Sequence, residues 1–367
     1  MRLIFIILTG LILWSALPGP ATAESMAWTN DQAMLIFFEA VTQIKKHGLD
    51  PSDAGRITTA AIKAYMNRHD PYGDYLSPAE YRQWKQAQRY SYHGIGMEII
   101  ERNRHFYCLP RLLSPAQTAG IKQGDELVAV DGDPVAGRSI YWVASRIRGE
   151  KNSSVTLKVN RANFQHEFNI NRQPVNDISA WLDKSDRLDI LCINHFSPQT
   201  FEEIKAVLQK RDTDRTLILD LRNNPGGDLF AAVDIAGLFL PVGSKILTIE
   251  TNKEKTDYIA KGHIWKGKTL AIWQNGFTAS ASEILIAGLI GNHTAVSFGS
   301  ATYGKAMTQS VIELSDGSAL VMSRGRLTGP NSDSWQTRGL KPMFTIDDSV
   351  TSWTEITKRT LEKGGAK

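Results

Sequence analysis

The chain has 367 residues, 42% of them hydrophobic, enough for two or three domains with real cores and inconsistent with large-scale disorder. Lys and Arg number 42 against 38 Asp and Glu, and the resulting +4 is too small and too dispersed to point to nucleic acid. There is no C-x-x-C and no H-E-x-x-H, so neither a metal nor another cofactor is expected.

The first segment carries Arg2, an apolar run to about Leu17, a Pro-Gly-Pro break and Ala21-Thr22-Ala23, the pattern of a signal peptide over residues 1–23. An exported protein is expected; the alternative is an uncleaved membrane anchor, which the apolar run disfavours because it is shorter than the ~20 residues that span a bilayer. Cys108 and Cys192 fall in what read as different domains and are expected as two buried thiols. Residues 24–90 read as helical. Leu35, Phe38, Val41 and Ile44 recur at helical spacing, a second helix follows from about Ser52 to Asn67, and Ser77-Pro78-Ala79-Glu80 is a capping box with proline at the first helical position.

Between 91 and 163 the pattern changes to short β runs: a Gly-Ile-Gly loop in "YHGIGMEII", a helix-like "SPAQTAG", an Asp131-Gly132 turn and "VTLKV". Over this stretch the sequence resembles a PDZ domain. The resemblance implies a carboxylate-binding loop at Gly94, Ile95, Gly96 and Met97, and an apolar groove between the following strand and a helix bearing Ile140, Val143 and Ile147. Small glycines there let backbone N–H groups converge on a peptide terminus, while the edge strand accepts an added strand.

From 164 to 350, β runs and helices alternate, as in an α/β layer fold. "DILCINHF" reads as a strand, and Thr200-Phe201-Glu202-Glu203 opens a helix. "TLILDL" ends in "RNNPGGD" and "TLAIW" ends in "QNGFTAS". Loops at such strand ends carry sites in open α/β sheets, which would put Pro225-Gly226-Gly227 beside Ser280. Residues 351–367 read as a helical tail, with Ser352 to Glu355 as its capping box.

Gly299, Gly304 and Lys305 nearly spell a phosphate-binding loop, but Ala306 stands where Ser or Thr should hold magnesium, and Thr308 to Leu314 reads as a strand rather than a helix. Lys305 has a second reading as the base for a serine upstream. The nucleophile elbow G-x-S-x-G is absent, and His195 and His293 lie in no segment resembling a protease histidine motif. Lys305 follows Ser280 after one helix (about Ala281 to Ile290) and one strand ("TAVSF"), an excursion that can bring the two together. To act as a base near neutral pH, a lysine must be depressed from about 10.4 by an amount costing about 4 kcal/mol, which burial can provide. Gln309 could orient the amine without adding charge. Ser282 is the rival nucleophile.

Taken together, these residues make the chain resemble the C-terminal processing peptidases, or tail-specific proteases. The resemblance rests on "TASASE" (Thr278 to Glu283), "TYGK" (Thr302 to Lys305) with Gln309, "DLRNNPGG" (Asp220 to Gly227) and "HDPYGDYLSPAEY". It implies an α/β fold with a crotonase/Clp-protease-like β-β-α protease core, an inserted PDZ domain and an N-terminal helical region. It further implies Ser280 as nucleophile, Lys305 as general base, Gln309 as the group that positions the lysine, and the N–H groups of Gly226 and Ala281 as an oxyanion hole. The implied partners are protein substrates with apolar free C-termini, an adaptor protein and a second copy in a homodimer, with the bacterial periplasm or cell envelope as location. Ala306 and Ser300 depart from the glycine and the acidic residue common in the family's base loop. The alternative is a non-catalytic PDZ-containing binding protein with an apolar-ligand cleft.

Overall fold

The computed structural model describes residues 28–49, 53–89, 93–174, 178–185, 188–262, 264–267 and 269–364. The leader expected over 1–23 lies outside them. Among the described residues no helix is long and apolar enough to cross a membrane. The chain divides into two compact units, Met1–Ala61 and Ile62–Lys367. In the first, the helix Asn30–His47 starts at a reciprocal cap: Gln32 N–H donates to Thr29 Oγ1, and Thr29 N–H to Gln32 Oε1. Of its periodic apolar residues Val41 is buried, while Leu35, Phe38 and Ile44 are exposed.

In the second unit, six strands form a mostly parallel sheet. Leu188–Ile193, Thr216–Asp220, Leu270–Gln274, Val296–Gly299 and Phe344–Thr345 run parallel, and Ala180–Ser185 closes one edge antiparallel. Both faces are covered, which is why these strands read as continuous apolar runs. Leu217, Leu219, Leu270 and Ile272 face the helices Pro198–Lys210, Leu229–Phe239 and Ala281–Gly291. Ile218, Ala271 and Trp273 face the other way, onto Trp353, Ile356 and Leu361 of the C-terminal helix Trp353–Gly364.

The helix side also meets Ile246, Leu247 and Leu327 of a second, antiparallel sheet. That sheet orders Asp74–Leu76, Ala319–Thr328, Lys245–Thr251 and Lys255–Ile259, with Met307–Glu313 paired on Ala319–Thr328. Strand Met307–Glu313 begins two residues after Lys305, where a phosphate-binding loop would need a helix.

A third sheet is antiparallel throughout: Met97–Arg102, His105–Pro110, Asp125–Val130, Ser154–Arg161 and Phe164–Asn171. It wraps Phe106, Leu127, Val130, Leu157 and Val159 around Val143 and Ile147 of the helix Ile140–Ile147. Its last hairpin pairs from Arg161 and Phe164 out to Ser154 and Asn171, so the sheet continues past residue 163. His93–Gly94 pairs with Gln173–Pro174, so the chain enters and leaves this region side by side, as an insertion should. Cys108 is buried in its core and Cys192 is half-buried on the six-stranded sheet; both are free thiols, and burial pushes Cys192 up to about 12.

Candidate active site

Asp220 and Trp273 are register neighbours on adjacent parallel strands, so the loops that follow them emerge together. They are then stitched to one another. Thr278 Oγ1 donates to the Leu221 carbonyl at 2.8 Å, and Ala279 N–H to the Asn224 carbonyl at 3.0 Å. Ser280 sits at the N-terminus of the helix Ala281–Gly291 with φ 56°, a left-handed value that costs a non-glycine residue about 1–3 kcal/mol and persists only where the surroundings enforce it. Enforcement is evident, since residues 281–289 of that helix are all buried. Ser280 is half-buried, whereas the rival Ser282 is fully buried and its hydroxyl donates to the Asn224 carbonyl at 3.0 Å.

Gly226 has φ 106°, and a Cβ there would lie 2.8 Å from Ala279 O and 2.9 Å from both Ala281 N and Ser280 Cβ. The loop can approach the serine this closely only because residue 226 has no side chain. The Ala281 N–H, first in its helix, has no intrahelical acceptor and is available to an anion. The Gly226 N–H is differently placed: it donates to Asn224 Oδ1 at 2.9 Å, while Asn224 Nδ2 is anchored on the Ile193 carbonyl at 2.8 Å.

On the other side, Lys305 Nζ donates to Gln309 Oε1 at 2.7 Å. Gln309 Nε2 in turn donates to the Tyr72 carbonyl and, at 2.9 Å, to the Tyr141 hydroxyl. Burial depresses the Lys305 ammonium below the ordinary lysine range, against the opposing pull of the Asp70 and Glu283 carboxylates. The Tyr72 ring lies 5.1 Å from Nζ, and the Tyr72 hydroxyl donates to the Gly304 carbonyl at 3.2 Å. Tyr72 is itself set by the "HDPYG" turn, in which Asp70 takes the Tyr72 N–H and, from strand Ala319–Thr328, the Ser323 N–H and hydroxyl.

One buried carboxylate joins the two sides. Glu283 is 0% exposed, and its oxygens accept from Ser280 N–H (2.8 Å), Lys305 N–H (2.9 Å), Gly304 N–H (2.7 Å) and the Thr302 hydroxyl (2.5 Å). Ser280 and Lys305 thus share a single oxygen through their backbones. Burial raises the Glu283 carboxyl above its usual range, and these four donors oppose that rise. The two departures in the base loop are accommodated: Ala306 is buried with its N–H on Gln336 Oε1 at 2.7 Å, and the Ser300 hydroxyl reaches Asp348 at 3.2 Å.

Lys305, Gln309, Ala279 and Pro225 line a cavity of about 670 Å³ that runs to Ile99, Glu101 and Ile140 of the inserted region. There, Ile95 and Gly96 turn their carbonyls to Ala116 N–H and Arg111 N–H, each at 2.9 Å. Gly96 has φ 64°, and Met97 begins the edge strand. Gly94 is paired to Gln173. Val143 and Ile147 belong to the packed core, while Ile140, Met97 and Ile99 are partly buried against it.

The sequence model described as Peptidase family S41 matches residues 188–346, and a PDZ domain model matches residues 113–161. A "Probable CtpA-like serine protease" of Staphylococcus aureus (strain MSSA476) is 30% identical over 328 residues, covering 86% of this chain and 66% of the relative. The chain belongs to peptidase family S41. A similarly named protein of Staphylococcus epidermidis is 30% identical over 298 residues, covering 79% of this chain and 61% of its own length. The chain thus spans about two thirds, or slightly less, of the curated relatives it matches. Among solved structures, "Photosystem II D1 C-terminal processing protease" superposes with a TM-score of 0.70 at 24% identity, covering 88% of this chain and 95% of that one, a likeness of fold. This S41 member is therefore a mixed α/β protein with N-terminal helices and an inserted PDZ domain.

Sequence reasoning missed three contributors to the site. Glu283 had a readable signal, since Ser280-Ala-Ser-Glu283 has the spacing of a capping box. Tyr72 lies in "HDPYGDYLSPAEY", one of the stretches that carry the family resemblance, but nothing in that stretch points to Gln309; Tyr141 had no signal, and both lie far from Gln309 along the chain. Among the described residues no group of three or more His, Cys, Asp or Glu side chains is placed to hold a metal ion.

Proposed function

We propose that this S41 chain is an exported serine endopeptidase that cuts proteins presenting an apolar free C-terminus. The observation that carries the reading is the Lys305 amine, depressed by burial, oriented by Gln309 and tied through Glu283 to the backbone of Ser280. Neutral Lys305 Nζ takes the proton from Ser280 Oγ as that oxygen attacks the scissile carbonyl. The oxyanion that forms is met by Ala281 N–H, and by Gly226 N–H once it leaves Asn224. The lysine ammonium then protonates the departing amine, leaving an acyl-enzyme on Ser280. A water molecule, deprotonated by the same amine, releases the acid.

Substrate tails enter as an added strand on Met97–Arg102, with the terminal carboxylate at the loop Gly94 to Met97 and apolar side chains over Ile140 and the core behind it. The reading also takes the protease core as crotonase/Clp-like and residues 24–90, 91–163, 164–350 and 351–367 as helical region, PDZ domain, core and tail, with the pairing of Phe164–Asn171 favouring a PDZ limit nearer 171. Location in the bacterial periplasm or cell envelope, a homodimer and an adaptor belong to the same proposal. The deciding assay digests one unstructured protein, with its terminus free or amidated, using wild type, Ser280→Ala and Lys305→Ala. Cleavage by wild type alone, faster for the free terminus, is expected. Equal background in all three proteins would instead favour a non-catalytic binding protein.

A further inference from the structure

The strand Met97–Arg102 turns into His105–Pro110 through two residues, Asn103 at φ 52° and Arg104 at φ 64°, both left-handed. Such two-residue turns close on a pair that exchanges both backbone hydrogen bonds, here Arg102 with His105. Bonded and non-bonded pairs then alternate back along the hairpin. Glu101, opposite Phe106, therefore directs its N–H and C=O away from His105–Pro110, as do Ile99 and Met97. Met97–Arg102 is the edge of its sheet, so these are the groups open to an added strand.

One of them is already taken. The Tyr303 hydroxyl donates to the Glu101 carbonyl at 2.5 Å. Tyr303 is fixed there by its own N–H on the Thr278 carbonyl at 2.9 Å and by packing against the Ile100, Leu109 and Ala279 cluster. Resting on the tail capture proposed above, a peptide running antiparallel from the carboxylate loop sets its last residue opposite Met97. Its third from last then lies opposite Ile99 and its fifth from last opposite Glu101.

We infer that Tyr303 is a specificity-determining residue of the groove: its hydroxyl occupies the backbone acceptor that the fifth residue from the end of a captured tail would use, and so confines strand pairing to the last four residues. Tyr303 stands two residues before Lys305, so a longer strand could pair only by pulling on the base loop.

The test uses the full chain in a Ser280→Ala background, which removes cleavage, and titrates it calorimetrically with synthetic apolar peptides sharing one C-terminal sequence. The peptides are four or seven residues long, each free or amidated. With Tyr303 present, the two free peptides are expected to bind alike. Tyr303→Phe, which removes only the hydroxyl, is expected to tighten the seven-residue peptide about five-fold and leave the four-residue peptide unchanged. Unchanged binding of both, or an equal change in both, with preference for the free carboxylate intact, overturns the inference and leaves tail capture standing. If amidated peptides bind as well as free ones, tail capture fails and the inference falls with it.

Discussion

The two ends of the 670 Å³ cavity are built on opposite principles. At the Lys305 and Ala279 end, the neighbouring polar groups are closed on one another: Glu283 has no exposure and four donors, Asn224 is fully buried and bonded through both side-chain atoms, and the helix after Ser280 is buried through residue 289. At the PDZ end, an edge strand leaves backbone groups of Met97 and Ile99 facing outward, and the apolar floor beneath it is only partly covered. Chemistry needs donors and base fixed before the substrate arrives, since reorganisation during the reaction would cost transition-state stabilisation. Recognition by strand addition needs unmade hydrogen bonds for the ligand to make. On the proposed function, variants at the first end should change stability and rate, and variants at the second should change selectivity.

The largest effect is expected from Ser280→Ala or Lys305→Ala, each lowering kcat by about 10⁴-fold or more with little change in melting temperature, as read by single-turnover cleavage and calorimetry. A loss of only tenfold would mean that another group carries the reaction. Next comes Glu283→Ala, which leaves the N–H groups of Ser280, Gly304 and Lys305 without their buried acceptor. It should destabilise the fold by about 3 kcal/mol in a denaturant titration while also reducing kcat. Wild-type stability in that variant would show that the two sides are not held together by this carboxylate.

A subtler change tests the base itself. Because Lys305 must be neutral and its folded value is depressed, kcat/KM should rise with pH through that depressed value, low where the amine is protonated and level above it. Gln309→Glu puts a carboxylate in place of the 2.7 Å amide oxygen, favours the ammonium, and should move the acidic limb upward by about one to three pH units. An unmoved limb would assign it to some other group. The smallest effect is expected from Tyr141→Phe, which removes from the groove helix one hydrogen bond to Gln309 and should lower kcat/KM about five-fold without loss of stability.

Much of this architecture was legible because the relevant signals are local. Buried parallel strands read as apolar runs, the capping residues Ser77 and Glu80 do bond reciprocally, and Lys305 and Gln309 lie on one short segment. What stayed hidden depends on distant partners or on competition among neighbours. Tyr72 and Tyr141 reach Gln309 from outside the S41-matched segment, and no periodicity connects them. Nothing in "RNNPGG" says that the Asn224 side chain will take the Gly226 N–H. The strand Phe164–Asn171 does alternate, Phe164, Phe168 and Ile170 against Gln165, Glu167, Asn169 and Asn171, but it is exposed along most of its length, and its pairing with Ser154–Arg161 makes a hairpin across residue 163. The helix Asn30–His47 shows the converse: its apolar spacing announces a helix, yet says nothing about what covers Leu35 and Phe38.

The central claim is that a neutral Lys305 activates Ser280, and it is tested most directly by following the rate at which a serine-directed fluorophosphonate labels the protein, by intact mass and peptide mapping, across pH. A single adduct on Ser280 is expected, forming faster as pH rises through the depressed lysine range, with its rate collapsing in Lys305→Ala. Labelling of Ser280 at the same rate and with the same pH dependence in Lys305→Ala, or an adduct on Ser282 instead, would contradict the account.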